Sequence, residues 1–204
     1  MSSLPIRNVI FDFGGVLVEW KPQQIIEEFY ADESVRAAIA SSVFKHPDWA
    51  ELDRGTLDED RATVRFSERT GRPVEELSAF LQHVRDSLIP MRETIALVQD
   101  LAQRGVPLYG LSNMPSRTFS QLRQRFDFWD AFRGIVISGD VKMIKPEPEI
   151  FEHIAAVHGL SPAETVFIDD HRPNIEAAQQ LGFQTILFED SPQCAASLNG
   201  MLAR

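Results

Sequence analysis

Five short stretches of the chain are almost continuously apolar: Ile6 to Phe11, Pro107 to Leu111, Gly134 to Ser138, Thr165 to Ile168 and Gln184 to Phe188. A strand with one wet face alternates apolar and polar residues, whereas a strand covered on both faces does not. These runs therefore predict parallel strands buried inside a sheet. Helical periodicity fills the gaps between the later runs. Arg92 to Arg104 sets Ile95, Val98, Leu101 and Ala102 on one stripe, and Pro148 to His158 does the same with Ile150, Ile154 and Val157. Pro173 to Leu181 reads as a third helix, closed by Gly182. The alternation predicts an α/β fold with a doubly wound parallel sheet.

One stretch breaks the alternation. Between Glu19 and Leu88 there is no strand pattern, only helical patches at Gln23 to Tyr30, Ser34 to Phe44, Asp58 to Thr70 and Val74 to Ser87, separated by Pro and Gly signals. A crossover between parallel strands needs only about a dozen residues. So long a run of helices directly after the first strand predicts a small helical cap at 19–88, over the end of an α/β core made of 1–18 and 89–204. Phe44, Trp49 and Phe66 read as helical core residues, and Trp20 as packing at the hinge of the cap.

The 204 residues suffice for one core with a small accessory domain, and 44% hydrophobic with 25% charged residues is ordinary for a globular chain. A net charge of −10 leaves no basic face for nucleic acid, and an anionic substrate would need positive charge supplied locally. Cys194 is the only cysteine, which excludes an intrachain disulfide. The apolar run near the start is too short for a signal peptide, and no stretch approaches the ~20 apolar residues of a membrane span. A cytoplasmic monomer or homodimer, without membrane or nucleic-acid partners, is the expectation.

Ligands of open α/β sheets bind at the carboxyl ends of the strands. The first strand delivers Asp12-Phe13-Gly14-Gly15 there and the second Ser112-Asn113; Lys145-Pro146-Glu147 precedes a helix, and the fourth strand ends in Asp169-Asp170-His171-Arg172-Pro173-Asn174. Singly, each is ordinary: an Asp after a strand is most often a turn former, Lys145 a surface lysine, Ser112-Asn113 a turn, His171 an exposed loop residue. Two adjacent acids at the end of a buried strand repel one another, and a bound cation accounts for them more simply than a helix N-cap does.

In this order the motifs FDFGGVL at Asp12, LSN at Leu111 to Asn113, KPE at Lys145 and VFIDDHRPNIEAA from Val166 resemble the haloacid dehalogenase (HAD) superfamily of phosphatases and related hydrolases, over essentially the whole chain. Within it the chain looks most like small bacterial sugar-phosphatase-type members and the phosphatase domain joined to some epoxide hydrolases. The resemblance implies a Rossmann-like core and a Mg²⁺-dependent phosphohydrolase acting on a small, sugar-phosphate-like monoester through an aspartyl-phosphate. Asp12 would be the nucleophile. Mg²⁺ would be held by Asp12, the Gly14 carbonyl and Asp170, with Asp169 assisting. Ser112 and the Asn113 N–H would bind phosphoryl oxygens, and Lys145 would offset charge in the transition state. Asn174 would hold Lys145 or Asp170 in place. Most phosphatases of the superfamily carry a second aspartate where this chain has Gly14, so the usual general acid is missing. Two alternatives stand beside this reading. One is a 2-haloacid dehalogenase, which needs no metal and usually has serines where Asp169 and Asp170 stand; the other is a catalytically weak binding module.

Overall fold

In the computed structural model, which describes residues 5–202, the five expected strands are β1 (Asn8–Phe11), β2 (Leu108–Ser112), β3 (Gly134–Ile137), β4 (Thr165–Asp169) and β5 (Gln184–Leu187). The ends of the expected core, 1–4 and 203–204, lie outside the described residues. All neighbours pair parallel, in the order β3-β2-β1-β4-β5. The first strand is thus the central one. Every residue of β2 and β4 is buried, whereas the edge strands β3 and β5 are only partly so. That is why the inner strands carry unbroken apolar runs. Both β2 and β4 extend one residue beyond expectation, into Ser112 and Asp169, so these polar side chains leave directly from the end of a hydrogen-bonded ladder.

Alternate residues of each strand serve opposite faces. Val9, Phe11, Val166 and Ile168 pack with Val98 and Leu101 of α6 (Arg92–Gln103) and with Cys194 and Leu198 of α11 (Ser191–Leu202). Ile10, Leu111 and Phe167 pack on the other face with α9 (Pro148–His158) and α10 (Arg172–Gln180). The buried face of α9 runs through Ile150, Phe151 and Ile154, not through Val157 as the stripe predicts. Phe151 rotates the face and leaves Val157 at its edge, 59% exposed. Two more helices of the sheet, α7 (Ser116–Arg125) and the single turn α8 (Ser138–Val141), follow β2 and β3.

Residues 22–86 form α1 (Pro22–Phe29), α2 (Glu33–Ile39), a π-helical turn at Ala40–Phe44, α3 (Pro47–Arg54), α4 (Glu59–Thr70) and α5 (Val74–Asp86). Their apolar faces enclose a hydrophobic cluster of their own around Ile26, Ile39, Phe66, Leu77 and Phe80. The chain leaves the sheet and returns to it side by side: Val18 bridges Pro90, Glu19 N donates to Ile89 O at 2.8 Å and Met91 N to Leu17 O at 2.9 Å. Helix α3 has no counterpart in the apolar pattern. Pro47 starts it, the His46 Nδ1 caps it by accepting from Asp48 N at 3.1 Å, and Gly55 ends it. Among the described residues, no helix is long and apolar enough to cross a membrane.

Candidate active site

Because β1 is flanked by β2 and β4, the residues that follow these three strands meet at one rim. Asp12 N donates to Ile168 O at 2.9 Å, which carries the ladder one residue past the end of β1. The carboxylate of Asp12 then faces Lys145, whose Nζ lies 2.8 Å from Asp12 Oδ1 and 2.7 Å from Asp169 Oδ2 and donates to Leu111 O at 3.1 Å. Three acceptors use the three N–H bonds of the ammonium, so a buried lysine is fully satisfied. The side chain of Asn113 clamps the lysine backbone reciprocally, donating to Lys145 O and accepting from Lys145 N, both at 2.9 Å.

Asp169 is fully buried and both its oxygens are engaged: Oδ1 accepts from His171 N at 2.7 Å, and Asn174 Nδ2 donates to Oδ1 at 3.1 Å and Oδ2 at 3.0 Å. Asn174 therefore holds Asp169, not Lys145 or Asp170 as expected from the sequence. Its place two residues into α10 aims the amide back along β4. Asp170, one residue on, projects from the opposite side of the backbone and is exposed. Gly15 makes room for it. That residue has φ +76°, and a Cβ there would stand 2.2 Å from Asp170 Oδ2.

Carboxylate oxygens of Asp12, Asp169 and Asp170 lie within 4.8 Å of one another. Loss of surrounding water, nearly complete at buried Asp12 and partial at Asp170, whose side chain opens to the cleft, and then the charge of Asp169, push both carboxyls above the usual carboxylate range. Burial works against the charge of Lys145, but Asp12 and Asp169 outweigh it and hold the ammonium above its ordinary value. Three acids against one lysine leave an excess of negative charge. An all-oxygen donor set with that excess, beside a glycine that clears the approach, fits a hard divalent cation such as Mg²⁺.

The rim opens into a cavity of about 810 Å³ between the sheet and the helices of 22–86. Asp12, Gly14, Ser112, Asn113, Lys145, Asp170, His171 and Asn174 line its floor, so the predicted site residues other than Asp169 reach one space. Trp20, Phe44 and Trp49, expected as core, are only partly buried and line its walls, whereas Phe66 is fully buried. Asp53, at the end of α3, is a wall residue that the sequence does not single out. Burial pushes its carboxyl well above the usual range, and only the Trp49 side chain offsets this. Its backbone O accepts from Ser138 Oγ at 2.6 Å, while the next residue, Arg54, holds Glu147 by two bonds of 2.6 Å.

Comparison with known proteins agrees with this geometry. A family model described as haloacid dehalogenase-like hydrolase matches residues 6–182. A sesquiterpene phosphatase of Aspergillus oryzae is 32% identical, over 91% of this chain and 91% of its own. A D-ribitol-5-phosphate phosphatase of Bacteroides thetaiotaomicron is 26% identical over 97% of this chain and 98% of its own. Among solved structures, a HAD family enzyme of Bacteroides thetaiotaomicron, in complex with magnesium and inorganic phosphate, superposes with a TM-score of 0.75. It is 26% identical and covers 91% of this chain and 96% of that one. The chain belongs to the haloacid dehalogenase-like hydrolase family. It is a hydrolase with the core of that family.

Proposed function

We propose that this protein is a Mg²⁺-dependent phosphohydrolase that takes the phosphoryl group of a phosphate monoester onto Asp12. The observation that carries the reading is the position of that carboxylate, at the end of the central strand between Lys145 and the Asp169–Asp170 pair. Lys145 and the Phe13 N–H, at 2.6 Å, both engage Oδ1 of Asp12. Oδ2 is left to attack. As the Oδ2–phosphorus bond forms, the bond to the leaving oxygen breaks and its electron pair stays on that oxygen, which, with Gly14 in place of an acid, takes its proton from water. Water then attacks the phosphorus, releasing inorganic phosphate and restoring Asp12. Lys145 stabilises the charge that gathers during both displacements, and the Ser112 hydroxyl and Asn113 N–H bind phosphoryl oxygens. Asp12, the Gly14 carbonyl and Asp170 would hold Mg²⁺, which supplies positive charge between the nucleophile and the phosphate. In this reading Asp169 serves the metal only indirectly, because its oxygens are engaged by Lys145, Asn174 and His171. Residues 19–88 act as the cap that encloses the substrate.

Phosphatase activity named for the relatives supports attack at phosphorus over attack at carbon, and an acid pair at 169–170 weighs against a dehalogenase. Intact Asp12, Lys145 and Asp170 weigh against a binding module. The test is turnover of p-nitrophenyl phosphate with Mg²⁺, with EDTA, and by Asp12→Asn, whose amide is near-isosteric but not nucleophilic. Activity should vanish with EDTA and fall by about 10⁴-fold or more in the variant. Substantial residual turnover by folded Asp12→Asn would overturn the mechanism.

A further inference from the structure

We infer that the leaving group of the substrate is a large apolar one, an extended hydrocarbon alcohol rather than a sugar or polyol. The inference rests on the phosphohydrolase reading and concerns the other end of the same cavity. A phosphate fills only the floor of a space of about 810 Å³. Above it the wall is built from Trp20, Phe44, Trp49, Leu52, Leu81 and Leu88. Trp20 stacks on Trp49 with ring centroids 6.1 Å apart, and Phe44 meets their edges at 5.6 and 4.5 Å. These three rings come from three separate segments, and all are left half-buried with their open faces toward the cavity.

The largest charged groups on that wall, Glu59 and Arg85, are spent on one another, although Lys45 and Thr118 also reach the cavity. Glu59 is held by Arg85 at 2.7 Å and by Arg117 at 3.0 Å, and Arg85 is held further by Gln82. The Asp53 carboxyl stands beside Trp49 in that wall, and burial pushes it well above the usual carboxylate range, toward its uncharged form. Nearer the floor, the side chains of Asn113 and Asn174 are committed to Lys145 and Asp169. A buried polyol would need a partner for each hydroxyl, and leaving them unmet is unfavourable. A hydrocarbon needs none, and gains from every methylene that leaves water. The site is thus split into a charged floor and an apolar chamber, which suits an amphipathic monoester with its phosphate inward.

The experiment measures kcat/KM with Mg²⁺ for straight-chain alkyl phosphates from ethyl to decyl, below their micelle concentrations. Their leaving groups are almost equally basic, so chain length is the only variable. kcat/KM should rise about fourfold per methylene until the chamber is full, and ribitol 5-phosphate should do no better than ethyl phosphate. A flat series, or a preference for the polyol, with brisk turnover of p-nitrophenyl phosphate, would overturn the inference and leave the phosphatase reading standing. If no phosphate is hydrolysed, that reading fails instead. Titration with alkylphosphonates, followed by the fluorescence of Trp20 and Trp49, then still decides the inference by whether affinity climbs with chain length. In Phe44→Gln the decyl-to-ethyl ratio should drop by about tenfold or more, while Phe44→Leu keeps it within about twofold. An unchanged ratio in Phe44→Gln would also overturn it.

Discussion

Gly14 and Gly15 follow one another in the nucleophile loop and do different things. Gly15 needs its left-handed backbone and its missing side chain, because Asp170 occupies the space a Cβ would take. Gly14 has neither constraint. A Cβ there would touch Trp20 Cβ at 3.5 Å, an ordinary contact, so the loop admits a side chain where most related phosphatases carry an acid. On the proposed mechanism, the lack of that acid means that the leaving oxygen departs with little proton donation, so that its own basicity controls the first step. Phosphates of acidic leaving groups, such as aryl phosphates, should outrun alkyl phosphates of equal size. Gly14→Asp should speed the alkyl esters most, within the 10²–10⁴-fold typical of a general acid, and the aryl esters least. The check is kcat/KM against leaving-group pKa in both proteins. A flat line in the parent would mean that another acid already donates the proton.

At the scale of elements, α3 is tied to the segment that follows β3 by three side chains. Arg54 bonds Glu147, Ser138 Oγ donates to Asp53 O, and Lys142 Nζ donates to Gly55 O at 2.6 Å. The ion pair itself is half-exposed and contributes little. The close backbone approach matters more. At Gly55, φ is +75° and a Cβ would fall 2.5 Å from both Gly139 O and Lys142 Nζ. Gly55→Ala should cost about 1–3 kcal/mol, read as a lower urea midpoint with unchanged slope. It should also lower kcat/KM, because Trp49 and Asp53 move with the helix. Gly71→Ala is the control: φ is +67° there, but nothing lies within 4 Å of a Cβ. It should carry the backbone strain without the loss of activity. Equal effects on activity in the two variants would mean that the α3 contact is irrelevant to the site.

For the whole molecule, a cation that binds only the folded chain must stabilise it. At one hundred times its dissociation constant, Mg²⁺ should add about 2.7 kcal/mol, which raises Tm by roughly 5–10 °C in a chain of this size. Asp170→Ala should remove that shift while leaving Tm without metal nearly unchanged, since Asp170 is exposed and holds no partner in place. Asp169→Ala should instead lower Tm even without metal, because it strips an acceptor from buried Lys145. Differential scanning calorimetry with and without Mg²⁺ separates these outcomes. A parent protein indifferent to Mg²⁺ would count against the metal site.

The apolar pattern alone determined the five strands, because a strand covered on both faces writes its burial into consecutive residues. The hydrolase chemistry came from the motifs that follow those strands, through their resemblance to the haloacid dehalogenase superfamily. The apolar pattern did not reveal α3 or α7, whose sequences PDWAELDR and SRTFSQLRQR are mostly polar and whose helices are short. Nor does sequence separate Phe66, sealed in the helical cluster, from Phe44, which faces the cavity; both read as apolar residues on helical patches. Only tertiary packing decides which of the two has a neighbour on every side. The same holds for the adjacent acids. The family resemblance separates Asp169 from Asp170 by role, but their residue types are identical and the physical reason lies in the fold: successive side chains leave a strand in opposite directions. One is drawn under Lys145 and Asn174, and the other is left open to the space where a cation and a phosphate would meet.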